Sequence, residues 1–363
     1  MKRVLVSPLS WGLGHATRDL PIIRHLLERG HAVTIAACGR ALPLLQREVP
    51  QCDFVELPDY PTPYSSGPYF VPKFLAMSPV MLCAVEMESV RVRRLLRRQK
   101  FDLILSDNRF RVRSRHIPSF VIAHQLRFMT PPWLIALEFL TEFFNHVYLH
   151  PFDRIIVPDV ADPERNLSGR LSHDMRWLKD SPRVYYAGVL SSVAPMDVPQ
   201  DVDVFVSISG PEPQRTQLEE IILGQIESVP GERIVVTLGK PEAAETRRIG
   251  DRITVHGFLD RAGQQEMLNR ARMVICRSGY TTVMELAELG RKALFIPTPG
   301  QTEQEYLGRL YEAQGTFHSV SQYEVDLPRD LQKAATMAGP PAAGHTRQNV
   351  ERLYADLFAP VLD

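Results

Sequence analysis

Two runs of alternating strand and helix patterns, separated by one break, constrain this chain more than any other feature. Residues 2–7 (KRVLVS) are a short β-type run, and the loop SPLSWGLGH leads into residues 16–29, where Leu20, Ile23, Leu26 and Leu27 recur at helical spacing. Gly30 stops that helix, and HAVTIAAC begins a second β-branched run. Strand, loop, helix and strand in this order predict a right-handed parallel crossover. Further strands are predicted at 101–106, 118–123 and 153–157, with helices near 40–48, 84–99 and 134–148. Residues 58–80, rich in Pro, Tyr and Ser, read as a long loop. Pro, Ser and Asp then cluster over 184–202, as in a linker. The second run places strands at 203–208, 233–238, 253–256, 273–276 and 292–296, with helices at 213–227, 262–270, 281–289 and 302–313. Residues 336–344 read as a flexible stretch before a last amphipathic helix.

The pattern predicts an α/β chain of two doubly wound parallel-sheet domains. The first is expected over 1–187 and the second over 188–345, with the helix of 346–363 packing back on the first. A length of 363 residues and 44% hydrophobic content suit two cores. No apolar run reaches the roughly 18 residues of a membrane-spanning helix. Four scattered cysteines without a CxxC pair argue against a disulfide scaffold or zinc site and predict a reducing cytoplasm. The net charge is zero but uneven: residues 1–187 hold 25 Lys and Arg against 18 Asp and Glu, and residues 188–363 hold 17 against 24. A basic first half suits an anionic partner, and a merely solvated surface explains it equally well. Arg91, Arg93, Arg94, Arg97 and Arg98, the alternating Arg109, Arg111, Arg113 and Arg115, and the apolar stretch after Pro131 could together dock on anionic lipid. A solvated face over a buried helix is the weightier reading of these residues.

Gly12-Leu13-Gly14-His15 follows the first strand, where glycine lets backbone N–H groups approach an anion and His15 could accept a proton. A tight turn with an idle His is the plainer alternative. A dinucleotide fingerprint is excluded, because position 17 is Thr and the second strand ends without an acidic residue. Ser106-Asp107-Asn108 and His124-Gln125 end later strands, so Asp107 and His124 join His15 as candidate catalytic residues, with Asp107 orienting a catalytic His or serving as the base itself, and loop capping as the alternative for Asp107. In the second half, Cys276-Arg277-Ser278-Gly279-Tyr280-Thr281-Thr282 runs from a strand into a helix, a phosphate-binding arrangement, with Glu285 one turn further able to hold a ribose diol. An ordinary capped helix is the alternative. Pro297 to Tyr306 repeats the arrangement after the next strand, with Gln301, Gln304 and Glu305 suited to sugar hydroxyls.

The stretch RSGYTTVMELAELGRKALFIPTPGQTEQEYLGRL resembles the donor-site signature of glycosyltransferase family 28, over about residues 253–315. The first half is similar only in layout and in its Gly-His loop, GxGHxxR. The resemblance implies a GT-B fold, two Rossmann-like domains facing a cleft, inversion at the anomeric carbon and no essential metal. It implies that Ser278, Gly279, Tyr280, Thr281 and Thr282 hold a diphosphate with Arg277 beside them, and that Glu285 holds the ribose. It further implies that Gln301, Gln304 and Glu305 meet the sugar, that Phe258 and Leu259 flank the base, and that Gly12, Gly14, Ser209 and Gly210 line the phosphates. The family loop carries more glycines where Ser10 and Trp11 stand here, and a Pro follows Gly210.

The expected activity is therefore glycosyl transfer from a nucleoside-diphosphate sugar, a UDP-sugar by resemblance, to an acceptor hydroxyl, with the nucleotide sugar as co-substrate and no required cofactor. Asp201 and Asp203 have Asp-x-Asp spacing but lie in the linker, so no metal is expected. The acceptor class left open includes lipid-linked and anionic molecules, with peripheral contact at the inner face of a membrane and no nucleic-acid partner. The rival readings are a nucleotide-sugar 2-epimerase and a non-catalytic nucleotide-sugar-binding module.

Overall fold

The computed structural model describes every residue except 62–69, 131, 180, 244 and 342–344. It divides into two units. Among the described residues, the first takes in 1–61, 72–192 and 345–363, and the second takes in 70–71 and 193–341.

The first unit is built on β1 (Arg3–Pro8), β2 (Ala32–Ala37), β3 (Asp53–Glu56), β4 (Leu103–Asp107), β5 (Ser119–Ile122), β6 (Arg154–Val157) and β7 (Val184–Tyr186). They form one sheet in the order β3-β2-β1-β4-β5-β6-β7, parallel at every pairing. The helices α1 (Leu13–Glu28), α2 (Ala41–Glu48), α3 (Phe70–Arg98) and α4 (Glu138–Leu149) lie between strands. A parallel sheet covered on both faces needs apolar side chains on both, and Val4, Leu5 and Val6 of β1 are all buried. The strand order reverses between β1 and β4, so their carboxyl ends open a crevice.

The second unit repeats this plan with β8 (Val202–Ser207), β9 (Ile234–Thr237), β10 (Thr246–Ile249), β11 (Ile253–His256), β12 (Ala271–Cys276), β13 (Lys292–Phe295) and β14 (His318–Ser319). The order is β10-β11-β9-β8-β12-β13-β14, with only the β10–β11 pair antiparallel, and the reversal falls between β8 and β12. Its helices are α5 (Gln214–Gln225), α6 (Arg261–Arg270), α7 (Tyr280–Leu289), α8 (Thr302–Ala313) and α9 (Leu327–Thr336). Asp260 caps α6 by accepting from the Gly263 N–H at 2.9 Å.

The last helix, α10 (Thr346–Leu353), continues through a wider turn at Tyr354–Phe358 to Leu362. Val350, Leu353, Tyr354, Leu357, Phe358 and Leu362 complete the core formed by α1 and the first sheet. Polar ties fix the same contact. The Tyr354 hydroxyl lies 2.7 Å from His31 Nε2, and Asn349 Nδ2 donates to the Val189 carbonyl at 3.0 Å.

Two expectations need correction. Residues 70–80, read as part of a loop, are the first turns of α3, which carries Pro79 in its interior. The remainder of that loop, 62–69, lies outside the described residues. Residues 184–186, read as linker, are the edge strand β7.

Candidate functional site

In the first unit, four side chains converge where β1 and β4 end. The pairing of Pro8 with Asp107 sets these ends side by side. The turn after β1 delivers His15 and Arg18 on one face of α1, three residues apart. β4 delivers Asp107, and the end of β5 delivers His124. His15 Nδ1 lies 2.9 Å from Asp107 Oδ1, and Arg18 Nε donates to Asp107 Oδ2 at 2.7 Å. The Arg18 Nη2 group donates to Asp107 Oδ1 and lies 2.9 Å from His15 Nδ1. Arg18 Nη1 is 2.7 Å from His124 Nδ1.

A guanidinium only donates, so His124 Nδ1 accepts from Arg18. His15 Nδ1 faces an acceptor, Asp107 Oδ1, and a donor, Arg18 Nη2, each at 2.9 Å, and in the tautomer with Nδ1–H it donates to Asp107 and leaves Nε2 as a lone pair. Asp107 is fully buried, while the His15 side chain is 16% exposed. Burial alone would raise the Asp107 pKa, but the Arg18 guanidinium and His15 hold this carboxyl well below the usual carboxylate range. Asp19, the next residue on α1, is also buried, and neither of its oxygens has a hydrogen-bond partner. Burial first, and then the Asp107 charge, push its pKa well above the usual carboxylate range. The sequence reading gave no role to Arg18 or Asp19. Arg18 was legible as the residue one helical turn beyond His15.

The loop before His15 is tied to the segment after β3. The Ser10 N–H donates to Asp59 Oδ2 at 2.5 Å, and Trp11 Nε1 donates to the Tyr60 carbonyl at 2.9 Å. Gly12 precedes α1 as its cap residue without a side-chain bond, and Gly14 sits in the first turn. Arg109 departs from the proposed lipid-facing set. It is wholly buried, pairs with Glu88 at 2.6 Å and donates to the carbonyls of Leu57 and Pro58.

In the second unit, the loops after β8, β12 and β13 meet at the strand reversal. The cap position of α7 is Gly279, which has no side chain to cap the first-turn N–H groups. The Tyr280 N–H donates to Glu303 Oε1 at 3.3 Å, which puts a carboxylate at this helix N-terminus. Thr281 and Thr282 are half-buried in the first turn. Glu285 is 12% exposed and lies 3.4 Å from Arg261. Burial raises its pKa, and Arg261 opposes the rise. Phe258 and Leu259 are half-buried after β11. Gly257 before them has no alternative, since a Cβ would stand 1.4 Å from the Ala243 carbonyl oxygen.

Several expected contacts are already spent inside the protein. The Ser278 hydroxyl is buried and donates to the Gln304 carbonyl at 2.8 Å, so only its backbone can face a ligand. Gln304 Oε1 accepts from the Thr298 N–H and Glu305 Oε1 from the Gly300 N–H, each at 2.8 Å, while the Gln304 amide nitrogen faces Gly279. Gln301 is the half-buried cap residue of α8. Arg277 is buried, with its guanidinium directed at carbonyl oxygens. Ser209 and Gly210 are exposed at the end of β8. Asp203 lies in β8 rather than in a linker, and it and Asp201 are engaged by Arg272, Arg233 and Arg270.

Residues 221–347 match the model of the glycosyltransferase family 28 C-terminal domain. A curated relative, the UDP-N-acetylglucosamine--N-acetylmuramyl-(pentapeptide) pyrophosphoryl-undecaprenol N-acetylglucosamine transferase of Histophilus somni, is 43% identical over 63 residues. That match spans only 17% of this chain and 18% of the relative. Among solved structures, the kitacinnamycin glycosyltransferase superposes with a TM-score of 0.66 at 16% identity, covering 100% of this chain and 99% of that one. The spinosyn rhamnosyltransferase complexed with thymidine diphosphate superposes at 0.59 with 17% identity, over 98% and 96% of the two chains. The chain has the GT-B fold, and its residues 221–347 match the C-terminal domain of glycosyltransferase family 28.

Proposed function

We propose that the protein is an inverting glycosyltransferase that uses a nucleoside-diphosphate sugar, a UDP-sugar first. The observation that carries this reading is the match of residues 221–347 to the family 28 C-terminal domain, within which α7 starts beside the strand reversal with a glycine at its cap position. N–H groups at a helix start favour a diphosphate. The loop of Ser278 to Thr282, with Gly210, holds the diphosphate, Glu285 holds the ribose, and Phe258 and Leu259 flank the base.

His15 is the base. The acceptor hydroxyl oxygen forms a bond to the anomeric carbon as the bond from that carbon to the phosphate oxygen breaks. The hydroxyl proton passes to His15 Nε2, and the nucleoside diphosphate leaves with the bonding pair. Asp107 orients the imidazole and stabilises its cation, while Arg18 and His124 are positioning residues around it. Family-based expectation places no metal in the step.

An apolar, lipid-linked acceptor is the second element of the proposal. Ile135, Leu137, Phe139, Leu140, Phe143 and Phe144 are exposed on α4 and the turn before it, a larger apolar display than scattered surface residues give. No helix among the described residues is long and apolar enough to cross a membrane, so contact would be peripheral. The curated relative's name carries a polyprenyl pyrophosphate acceptor.

A thermal-shift panel of UDP, GDP, dTDP, ADP and CMP, with and without magnesium, tests the donor. The expected result is a UDP-selective rise of several degrees, unchanged by magnesium, as about 2.7 kcal/mol from saturating ligand produces. No shift with any nucleotide overturns the reading. Free sugar released from the donor alone, without acceptor, would instead identify an epimerase.

A further inference from the structure

Arg277 is buried among backbone carbonyls, and no Asp or Glu pairs with it among the described residues. Its Nε donates to the Ser209 carbonyl at 3.3 Å. Nη1 donates to the carbonyls of Ile296 and Pro297 at 3.0 and 3.1 Å, and Nη2 donates to the Gln214 carbonyl at 3.0 Å and Gln322 Oε1 at 2.7 Å. The five N–H bonds are thus all used, and the positive charge remains uncompensated. Burial draws its pKa down to about 10. A buried charge without a counter-ion is costly, and the cost falls when an anion arrives nearby.

The place of this charge is specific. Its bonds tie the loops after β8 and β13 and the start of α5 to the loop after β12. A Cβ on Gly210 would stand 3.7 Å from Thr298 Oγ1 and 3.8 Å from Arg277 Nε, so the guanidinium lies directly beneath Gly210. Thr298 Oγ1 is buried there without a hydrogen-bond partner. The Ser209 carbonyl points inward to Arg277. In a trans peptide the N–H points opposite to the C=O, so the Gly210 N–H is directed outward, on an exposed residue.

We infer that Arg277 is the positioning residue of the diphosphate subsite. It supplies the subsite's fixed positive charge from below and turns the Gly210 N–H toward the ligand, without touching the ligand itself. This inference rests on the donor-site reading above. It explains why a chain would bury a guanidinium at the crossing of three ligand-facing loops and give it no carboxylate.

Gln322 offers a test that leaves Arg277 in place. Gln322 Nε2 has no hydrogen-bond partner, so Gln322→Glu removes an orphan donor and supplies a carboxylate within bonding distance of Nη2. Titration calorimetry with UDP, uridine and inorganic pyrophosphate is compared in the wild type, Gln322→Glu and Arg277→Gln. In Gln322→Glu, UDP and pyrophosphate affinities should fall roughly tenfold or more, the scale of a screened unit charge. Uridine affinity should stay within about twofold, and ligand-free melting should rise as the buried charge gains a partner. Arg277→Gln should show the same phosphate-selective loss with lower stability, and Gln322→Glu carries the test if that variant does not fold. Parallel loss of UDP and uridine binding, or unchanged UDP binding, overturns the role of Arg277 while leaving the donor site standing. Failure of wild-type protein to bind any of the three probes removes both.

Discussion

The two strand reversals of this molecule are built from different materials. At the first, between β1 and β4, side chains do the work: His15, Arg18, Asp107 and His124 meet there, with a guanidinium against a carboxylate. At the second, between β8 and β12, the groups on offer are backbone N–H and carbonyl groups, and one cation stands without an anion. A balanced cluster keeps an imidazole in one orientation and one tautomer, as proton transfer requires. An unbalanced one waits for an anion to arrive. Under the proposed function, the same sheet topology would serve proton handling in one unit and anion binding in the other.

Removing His15 should have the largest effect. His15→Ala is expected to lower turnover by about 100- to 10,000-fold while UDP affinity changes little, checked by initial rates and calorimetry. A UDP affinity that falls in step with turnover would break the division of labour. Asp107→Asn should follow, since it leaves Arg18 buried without its anion. A stability loss of about 3–5 kcal/mol in urea denaturation is expected, together with reduced turnover. A loss below about 1 kcal/mol would mean that Arg18 does not depend on Asp107.

On the donor side, Glu303→Gln should tighten UDP binding by about three- to tenfold, because a carboxylate no longer occupies the start of α7. Weaker UDP binding would show that Glu303 belongs to the ligand's own contacts. The smallest effect is expected from Asp19→Asn. The folded-state pKa of Asp19 is raised, so the folded protein holds a proton that the unfolded chain has released, and stability declines as pH rises above the unfolded value of about 3.9. The amide removes that penalty. Asp19→Asn should melt higher than wild type by about 1 kcal/mol at pH 8, with the difference shrinking toward pH 4 and activity preserved. Destabilisation at pH 8 would contradict a raised Asp19 pKa.

The parts of the fold that were legible in the sequence are those with a strong apolar period. The central strands read plainly because both of their faces are covered. The strands β3 (DFVE), β10 (TRRI) and β14 (HS) escaped because short edge strands bury little and keep polar residues. α9 was hidden by its polar composition, although Asp326 accepting from the Arg329 N–H marks its start. In the site, strand ends located His15, Asp107 and His124, which the fold brings together. The strand-end rule says where a residue lies but not how its hydrogen bonds are used. Ser278 and Arg277 stand where the resemblance puts a phosphate contact, yet the hydroxyl of one and the guanidinium of the other face inward. Arg109 looked like part of a basic surface and is a buried ion pair, because Glu88, far off in sequence, meets it in space.

The return of residues 345–363 to the first unit bears on how the protein is made. On the ribosome, the earlier of two domains ordinarily finishes folding first. Here the second unit has its full sequence while the first still lacks Val350, Leu353, Tyr354 and Phe358, which cover α1. The half translated first is therefore completed after the second, and until residues 345–363 emerge α1 lacks the apolar side chains that cover it.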